Sequence, residues 1–290
     1  MRLICLLILL LTEVQAQFLT TGIQTITLSL TGVSGSTPMN IAWHPGFEQY
    51  YGGRGGSTSY GGIVWNASGG VVQNLAPINT DIRSFFYNPN TGQLENVAYA
   101  SYINASGYRA VVLTGTGLFT GTYTNVGVTL SGLGYDQISP AYDAARNLLY
   151  AYHGSNTVSV VSPVTGLVVS TITLDLASAG SPTLPEYVIG YDPHNDALIS
   201  YTATGGMRAV AFSATTGAFL ASVTLPGLTQ GPDQWRMGYA NDQLFVFDNA
   251  LDRYVGFDIT VIPEPGTAAL LATGLLLLGI ISWRRPRFAK

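Results

Sequence analysis

The sequence predicts an all-β fold, a five-bladed β-propeller over residues 17–260, between two terminal segments of different character. Three observations carry this. Short runs rich in Val, Ile, Thr, Tyr and Phe alternate with Gly, Asn, Asp and Pro, without an amphipathic helix among them, which is the pattern of strands and tight turns. A unit of apolar pair, aromatic, polar turn and second apolar strand recurs five times, with its aromatic at Trp43, Tyr87, Tyr142, Tyr191 and Tyr239. The spacings of 44, 55, 49 and 48 residues are close to the roughly 40–50 residues of a four-stranded blade.

The elements follow in chain order. Met1-Arg2, an apolar core from Leu3 to Leu11 and the small-x-small site Val14-Gln15-Ala16 predict a cleaved signal peptide over residues 1–16. Its partners would be the secretory translocon and signal peptidase. The single cysteine, Cys5, lies inside it, so the expected mature chain can form neither a disulfide nor a thiolate metal site, and has no thiol for catalysis. Residues 17–262 carry seven arginines, no lysine and fourteen acidic residues, a net charge of −7. Nucleic acid and anionic lipid are poor partners for that balance.

An orphan strand is expected over residues 24–30, ahead of the first full unit. In that unit Gly52-Gly53-Arg54-Gly55-Gly56 and Gly61-Gly62 flank Tyr60. With no strand-to-helix context they read as a long flexible loop offering Arg54 and Tyr60 as contacts, not as a phosphate cradle. The second unit is long, and its insertion from Ser101 to Gly107 leaves room for a sixth blade. In the third unit, strands over 148–152, 157–162 and 167–174 follow the one ending at Tyr142. The fourth repeats this over 188–191, 197–201, 208–213 and 218–225. The last unit has only three strands, over 236–239, 243–247 and 254–259, so the N-terminal strand is expected to complete it and close the ring. An open two-sheet sandwich shares the short-strand, turn-rich look and is the alternative.

The third unit resembles the surface-protein propeller repeats with a Tyr-Val-Thr-Asn core, through Asn147-Leu148-Leu149-Tyr150-Ala151 and Asn156-Thr157-Val158-Ser159-Val160. Over about two units the resemblance implies architecture. Tyr150-Ala151-Tyr152-His153 departs from the core, so no function is carried over.

Residues just before each repeat aromatic are expected to line a polar funnel at the channel mouth. Asp81, Asp136 and Asp233 stand six positions upstream. Gln137, Glu186 and Gln234 stand five upstream, and Arg83, Tyr187 and Trp235 four upstream. Acids and amides beside aromatic faces suit a sugar or peptide chain; the same acids could equally cap turns or link neighbouring blades. Glu48, Glu95 and Glu186 are the only glutamates in this span. Glu186 with Asp81 or Asp136 is the one pair that could serve a propeller-type glycoside hydrolase or lyase, which needs two carboxylates at suitable separation. No hydrolase motif surrounds them, so no catalytic residue is assigned and a non-enzymatic module is the main reading. His44, His153 and His194 lack metal-ligand spacing, the turn from Asp192 to Asp196 matches no calcium loop, and no cofactor is implied.

The C-terminal segment, residues 261–290, places Pro263-Glu264-Pro265 before an uncharged run over 267–283, then Arg284, Arg285, Pro286 and Arg287, with a terminal Lys290. As a helix the run would rise about 25 Å, the short limit for a bilayer core, leaving the basic tail 284–290 in the cytoplasm. In motif, spacing and order the segment resembles the PEP-CTERM sorting signal. That resemblance implies an exosortase-type membrane protease as partner and a host that makes extracellular polysaccharide. The expectation is an exported surface or matrix protein, held in the inner membrane by one C-terminal helix and then released to the cell surface or beyond. A polysaccharide is its expected ligand.

Overall fold

A computed structural model describes residues 17–33, 35–101, 103–228 and 234–261. The chain enters with a long strand, β1 (Gln17–Ser29). The first unit holds the two-residue β2 (Thr37–Pro38), then β3 (Ala42–His44), β4 (Gln49–Gly55), β5 (Gly61–Asn66) and β6 (Val71–Pro77). The second holds β7 (Ile82–Asn88), β8 (Gln93–Ala98), β9 (Tyr108–Leu113) and β10 (Phe119–Asn125). The third holds β11 (Ala141–Asp143), β12 (Leu148–Tyr152), β13 (Thr157–Val161) and β14 (Val168–Thr173). The fourth holds β15 (Gly190–Asp192), β16 (Ala197–Thr202), β17 (Arg208–Ser213) and β18 (Phe219–Thr224), and the fifth β19 (Met237–Ala240), β20 (Gln243–Asp248) and β21 (Arg253–Val261).

Within each unit successive strands from the inner one outward pair antiparallel. The first turn of the second, third and fourth units is set by the residue after the repeat aromatic. Asn88 accepts from Asn90 N at 3.0 Å, Asp143 from Ala145 N at 3.0 Å and Arg146 N at 3.1 Å, and Asp192 from His194 N at 2.9 Å. A short polar side chain that closes on its own backbone two residues on is what starts a tight turn. Core clusters lie between units: Tyr150 and Ile172 of the third pack with Leu198 and Phe212 of the fourth, and Ile41 and Trp65 of the first with Phe245 and Tyr254 of the fifth. The innermost strands β3, β7, β11, β15 and β19 are successive neighbours, and β19 returns to β3. The architecture is that of a β-propeller, a ring of repeated antiparallel units.

Three expectations are corrected. First, the fourth and fifth units are not separate blades, although the N-terminal strand does pair with the last strand of the fifth. β1 lies between β18 and β21, pairing in parallel with β18 (Thr21 opposite Thr224), so the two units form one eight-stranded sheet. The end strands of that sheet, β15 and β19, are neighbours, so it nearly closes on itself. The physical reason is reach: the edge of β1 not taken by β21 lies beside β18, and pairing there covers N–H and C=O groups that would otherwise stand unpaired.

Second, the fold class and the localisation both included a membrane helix, and with it an inner-membrane anchor. Among the described residues no helix is long and apolar enough to cross a membrane, and the only helical pieces are the one-turn segments Ala105–Gly107 and Ser131–Leu133. The anchored placement is therefore withdrawn. The signal peptide 1–16, the span 267–283 and the sorting residues Pro263, Glu264, Pro265, Arg284 and Arg285 lie outside the described residues.

Third, the glycine-rich stretch is not a loop: Gly52 to Gly55 run in β4, and Gly61-Gly62 start β5. A Cβ on Gly52 would sit 2.9 Å from Ile41 Cδ1 and 3.1 Å from the Trp65 ring, and one on Gly55 2.6 Å from Ile82 O. The glycines leave room for Trp65 and the neighbouring inner strand, and Arg54 is buried against Asp252 rather than displayed. The second-unit insertion adds the turn Ala105–Gly107, capped by Asn104, and no further sheet.

Two tests follow from this packing. At Gly238 a Cβ would stand 2.7 Å from Ile41 N, whereas Gly115 meets nothing within 4 Å. Gly238→Ala should cost about 1–3 kcal/mol in denaturant unfolding, and Gly115→Ala less than about 0.5 kcal/mol. Burial pushes the Tyr152 hydroxyl up to about 12 and also raises Tyr51, Tyr108 and Tyr254, while it lowers His44 and His153. A raised tyrosine contributes its full stability below its unfolded value of 10.0 and loses it as pH climbs through the folded value. A depressed histidine contributes fully above 6.5 and loses its share as pH falls through the folded value. The melting temperature should therefore plateau between about pH 7 and 9 and fall on both sides.

Candidate functional site

The ring is tight, and that decides what its two axial ends can be. A Cβ on Gly190 would lie 2.9 Å from Tyr239 Cβ, so glycine is what lets β15 approach β19. Where side chains do fit, they satisfy the free inner edges. Asn40 donates to Ser84 Oγ at 2.9 Å and Phe85 O at 2.8 Å and accepts from Phe85 N at 2.7 Å. Ser84 Oγ donates to Pro140 O at 3.0 Å. Ser139 N donates to Tyr187 O at 2.7 Å beside a parallel bridge from Ser139 to Val188.

At the end where the inner strands begin, the structure places the expected funnel residues on the unit before their own. Asp81 accepts from Gly56 N at 2.6 Å, in the turn between β4 and β5, and its two oxygens take Arg83 Nη1 at 2.5 Å and Nη2 at 3.1 Å. Arg83 is buried, its guanidinium 5.2 Å from the Tyr99 ring centre. Asp136 stands near the Tyr99 hydroxyl, in the turn after β8, and is the main cause of the raised tyrosine pKa. Glu186 packs over Gly154, in the turn between β12 and β13, and accepts from Gln234 Nε2 at 2.7 Å. Asp233 lies outside the described residues.

Two of the nine residues do something the spacing did not indicate. Trp235, from the fifth unit, donates from Nε1 to Gln137 O of the third at 2.5 Å, stacks on Tyr187 of the fourth (5.6 Å, 23°) and packs against a cluster containing Met39 and Ile82 of the first two. One side chain thus reaches all the other units across the axis and closes this end. Tyr187 and Trp235 both hold left-handed backbone, at φ 65° and 61°. For bulky residues this costs about 1–3 kcal/mol each and persists only where surrounding contacts dictate it. Tyr135 extends the stack, 5.3 Å from Tyr187, and Tyr135 and Tyr99 are both exposed. Neither was singled out in the sequence, because they stand in connecting turns off the repeat. The result is an aromatic platform (Tyr99, Tyr135, Tyr187, Trp235) edged by Asp136, Glu186 and Gln234.

The other carboxylates of interest are placed differently. Glu95 is buried, accepting from Asn88 at 2.9 Å, Thr91 at 3.0 Å and the Tyr108 hydroxyl. Glu48 sits in an exposed turn at φ 52°. Among the described residues no three His, Cys, Asp or Glu side chains cluster as a metal site.

The opposite axial end is open. A cavity of about 460 Å³ is lined by all five inner strands, with the repeat aromatics Trp43, Tyr87, Tyr142, Tyr191 and Tyr239 in its wall. These aromatics were read only as markers of the repeat. The recurrent turn residue two positions on, Pro45, Pro89, Ala144, Pro193 or Asn241, was the signal that they also surround an opening.

No protein family matches the chain, and no curated protein matches it. Among solved structures, the β-propeller domain of Cps50 (Swd1) from Myceliophteria thermophila is similar at 8% identity, over 80% of this chain and 99% of that one, with a TM-score of 0.42.

Replacing the closing side chain separates its two roles. Trp235→Phe keeps a ring on Tyr187 and should cost about 1 kcal/mol for the lost hydrogen bond. Trp235→Ala should cost about 3 kcal/mol or more, both read by chemical denaturation.

Proposed function

We propose that the chain is a non-enzymatic β-propeller binding module, exported and directed by its Pro-Glu-Pro segment, whose ligand is a polysaccharide chain held on the aromatic platform. The observation that carries this is the platform itself: Tyr135 exposed beside the Tyr187–Trp235 stack, the exposed Tyr99 near Asp136, and Glu186 bonded to Gln234 at its edge. Aromatic faces cover the apolar C–H faces of a sugar ring while carboxylates and amides take its hydroxyls. The net charge of −7 over residues 17–262 and the absence of lysine there favour a neutral glycan over a polyanion. Export and processing by an exosortase-type protease rest on the resemblance of residues 261–290 to the PEP-CTERM signal.

Affinity electrophoresis in neutral polysaccharides, followed by titration calorimetry, tests the binding role. Tyr99→Ala and Tyr135→Ala should each weaken a retained glycan by roughly 2- to 10-fold with unfolding unchanged; unaltered affinity in both would refute the platform. Sorting is tested by intact mass from hosts with and without the protease. A product ending near Pro263-Glu264-Pro265 should appear only when the protease is present.

A further inference from the structure

We infer that the open axial cavity is a second, separate ligand site, for a compact aromatic molecule without negative charge. The cavity has about 460 Å³, within the range of small-molecule pockets, and Trp235, stacked on Tyr187 and bonded to Gln137 O, is not among its lining residues. Its wall is formed by one aromatic from each unit together with Ile41, Phe85 and Ile189. Water in such a space finds few of the two to four polar partners it needs, so an apolar ligand displaces it at little cost.

Several of the polar groups nearby are already engaged. The Tyr142 hydroxyl donates to Asn88 Oδ1 at 3.0 Å and accepts from Asn90. The Tyr191 hydroxyl accepts from Arg146 at 3.1 Å and donates to Asp196 at 3.2 Å, and Asn40 is spent on Ser84 and Phe85. All of these but the Tyr191–Asp196 bond run between neighbouring units, so the wall is held in place before a ligand arrives. Repeated tyrosines that only marked a fold would need no common opening; here they share one, and its rim is built from exposed Pro45, Pro89, Ala145 and Pro193.

Charge sets the class. Among the described lining residues there is no Lys, Arg or His, and the one ionisable acid, Asp242, stands at the mouth, its Oδ1 2.9 Å from His194 Nε2. An anion entering would lose water and gain no counter-charge. A neutral or cationic ring loses nothing of the kind and meets aromatic walls that favour both.

The experiment uses the purified protein with indole, tryptamine and indole-3-acetate as neutral, cationic and anionic probes of one shape, read by saturation-transfer NMR and calorimetry. Indole and tryptamine should bind, and indole-3-acetate should bind at least tenfold more weakly. Ala145→Trp, at the exposed rim, should weaken indole at least tenfold with an unchanged unfolding temperature. Val164→Trp, the same ring added at an exposed site away from the axis, should leave it unaltered. Should Ala145→Trp fail to fold, Pro89→Trp reads the same rim from the second unit. No indole binding at millimolar concentration, equal binding by the rim variant, or indole-3-acetate binding as tightly as indole would each overturn the assignment. None of these outcomes bears on glycan binding at the opposite end.

Discussion

The structure depends on how the two ends of the chain are brought together. β1 is the first described strand and β21 the last, and they are paired in one sheet with β18 on the other side of β1. Ring closure is therefore made by backbone hydrogen bonds rather than side-chain contacts alone. It also removes two sheet edges at once, those of β18 and β21. Trp65 ties the first unit to the same strand, donating from Nε1 to Ser29 O at 3.0 Å, and Leu30 N donates to Asp252 O at 2.9 Å. With the perimeter fixed, the five inner strands have little freedom. Their mutual approach selects glycine at 190 and 238 and small polar bridges such as Asn40 and Ser84 elsewhere.

The two axial ends differ because different parts of the repeat reach them. Where the inner strands start, residues reach back to a turn of the unit before, as Asp81 does to Gly56 and Glu186 to Gly154. A long aromatic then fills the remaining space. Where the inner strands end, the chain turns outward at tight corners, side-chain-capped in the second, third and fourth units. Short residues follow the aromatic there, so nothing is long enough to cover the axis. One end is consequently a stacked, solvent-facing platform and the other an apolar opening.

Much of the fold was legible. Strands β12 and β17 occupy the residues their β-branched and aromatic runs indicated, and the repeat aromatics all fall on inner strands or at their ends. Two features were not. The glycines of β4 looked like a loop because local composition is blind to the Trp65 ring and the Ile82 backbone that occupy the space beside them. Joining the fourth and fifth units through β1 was equally hidden, since a strand's second partner is set by which edge lies within reach, not by its own residues. The candidate site was half legible. Five of its members stood at fixed offsets from the repeat aromatics, but their contacts with other units, and the roles of Tyr99 and Tyr135, arise from contacts remote in sequence.

The sequence by itself determined an all-β chain with a repeat near 48 residues, turn chemistry at fixed points, an acidic surface without lysine and no thiol between residues 17 and 262. These are properties of local composition and period, and a chain carries them whatever its partners. Only the tertiary structure decided that Trp235 crosses the axis, that Arg54 is buried on Asp252, and that five aromatics spaced far apart in sequence share one cavity. Each of those depends on closing the ring. Closure brings together residues separated by nearly the whole chain, and no local pattern encodes which of them will meet.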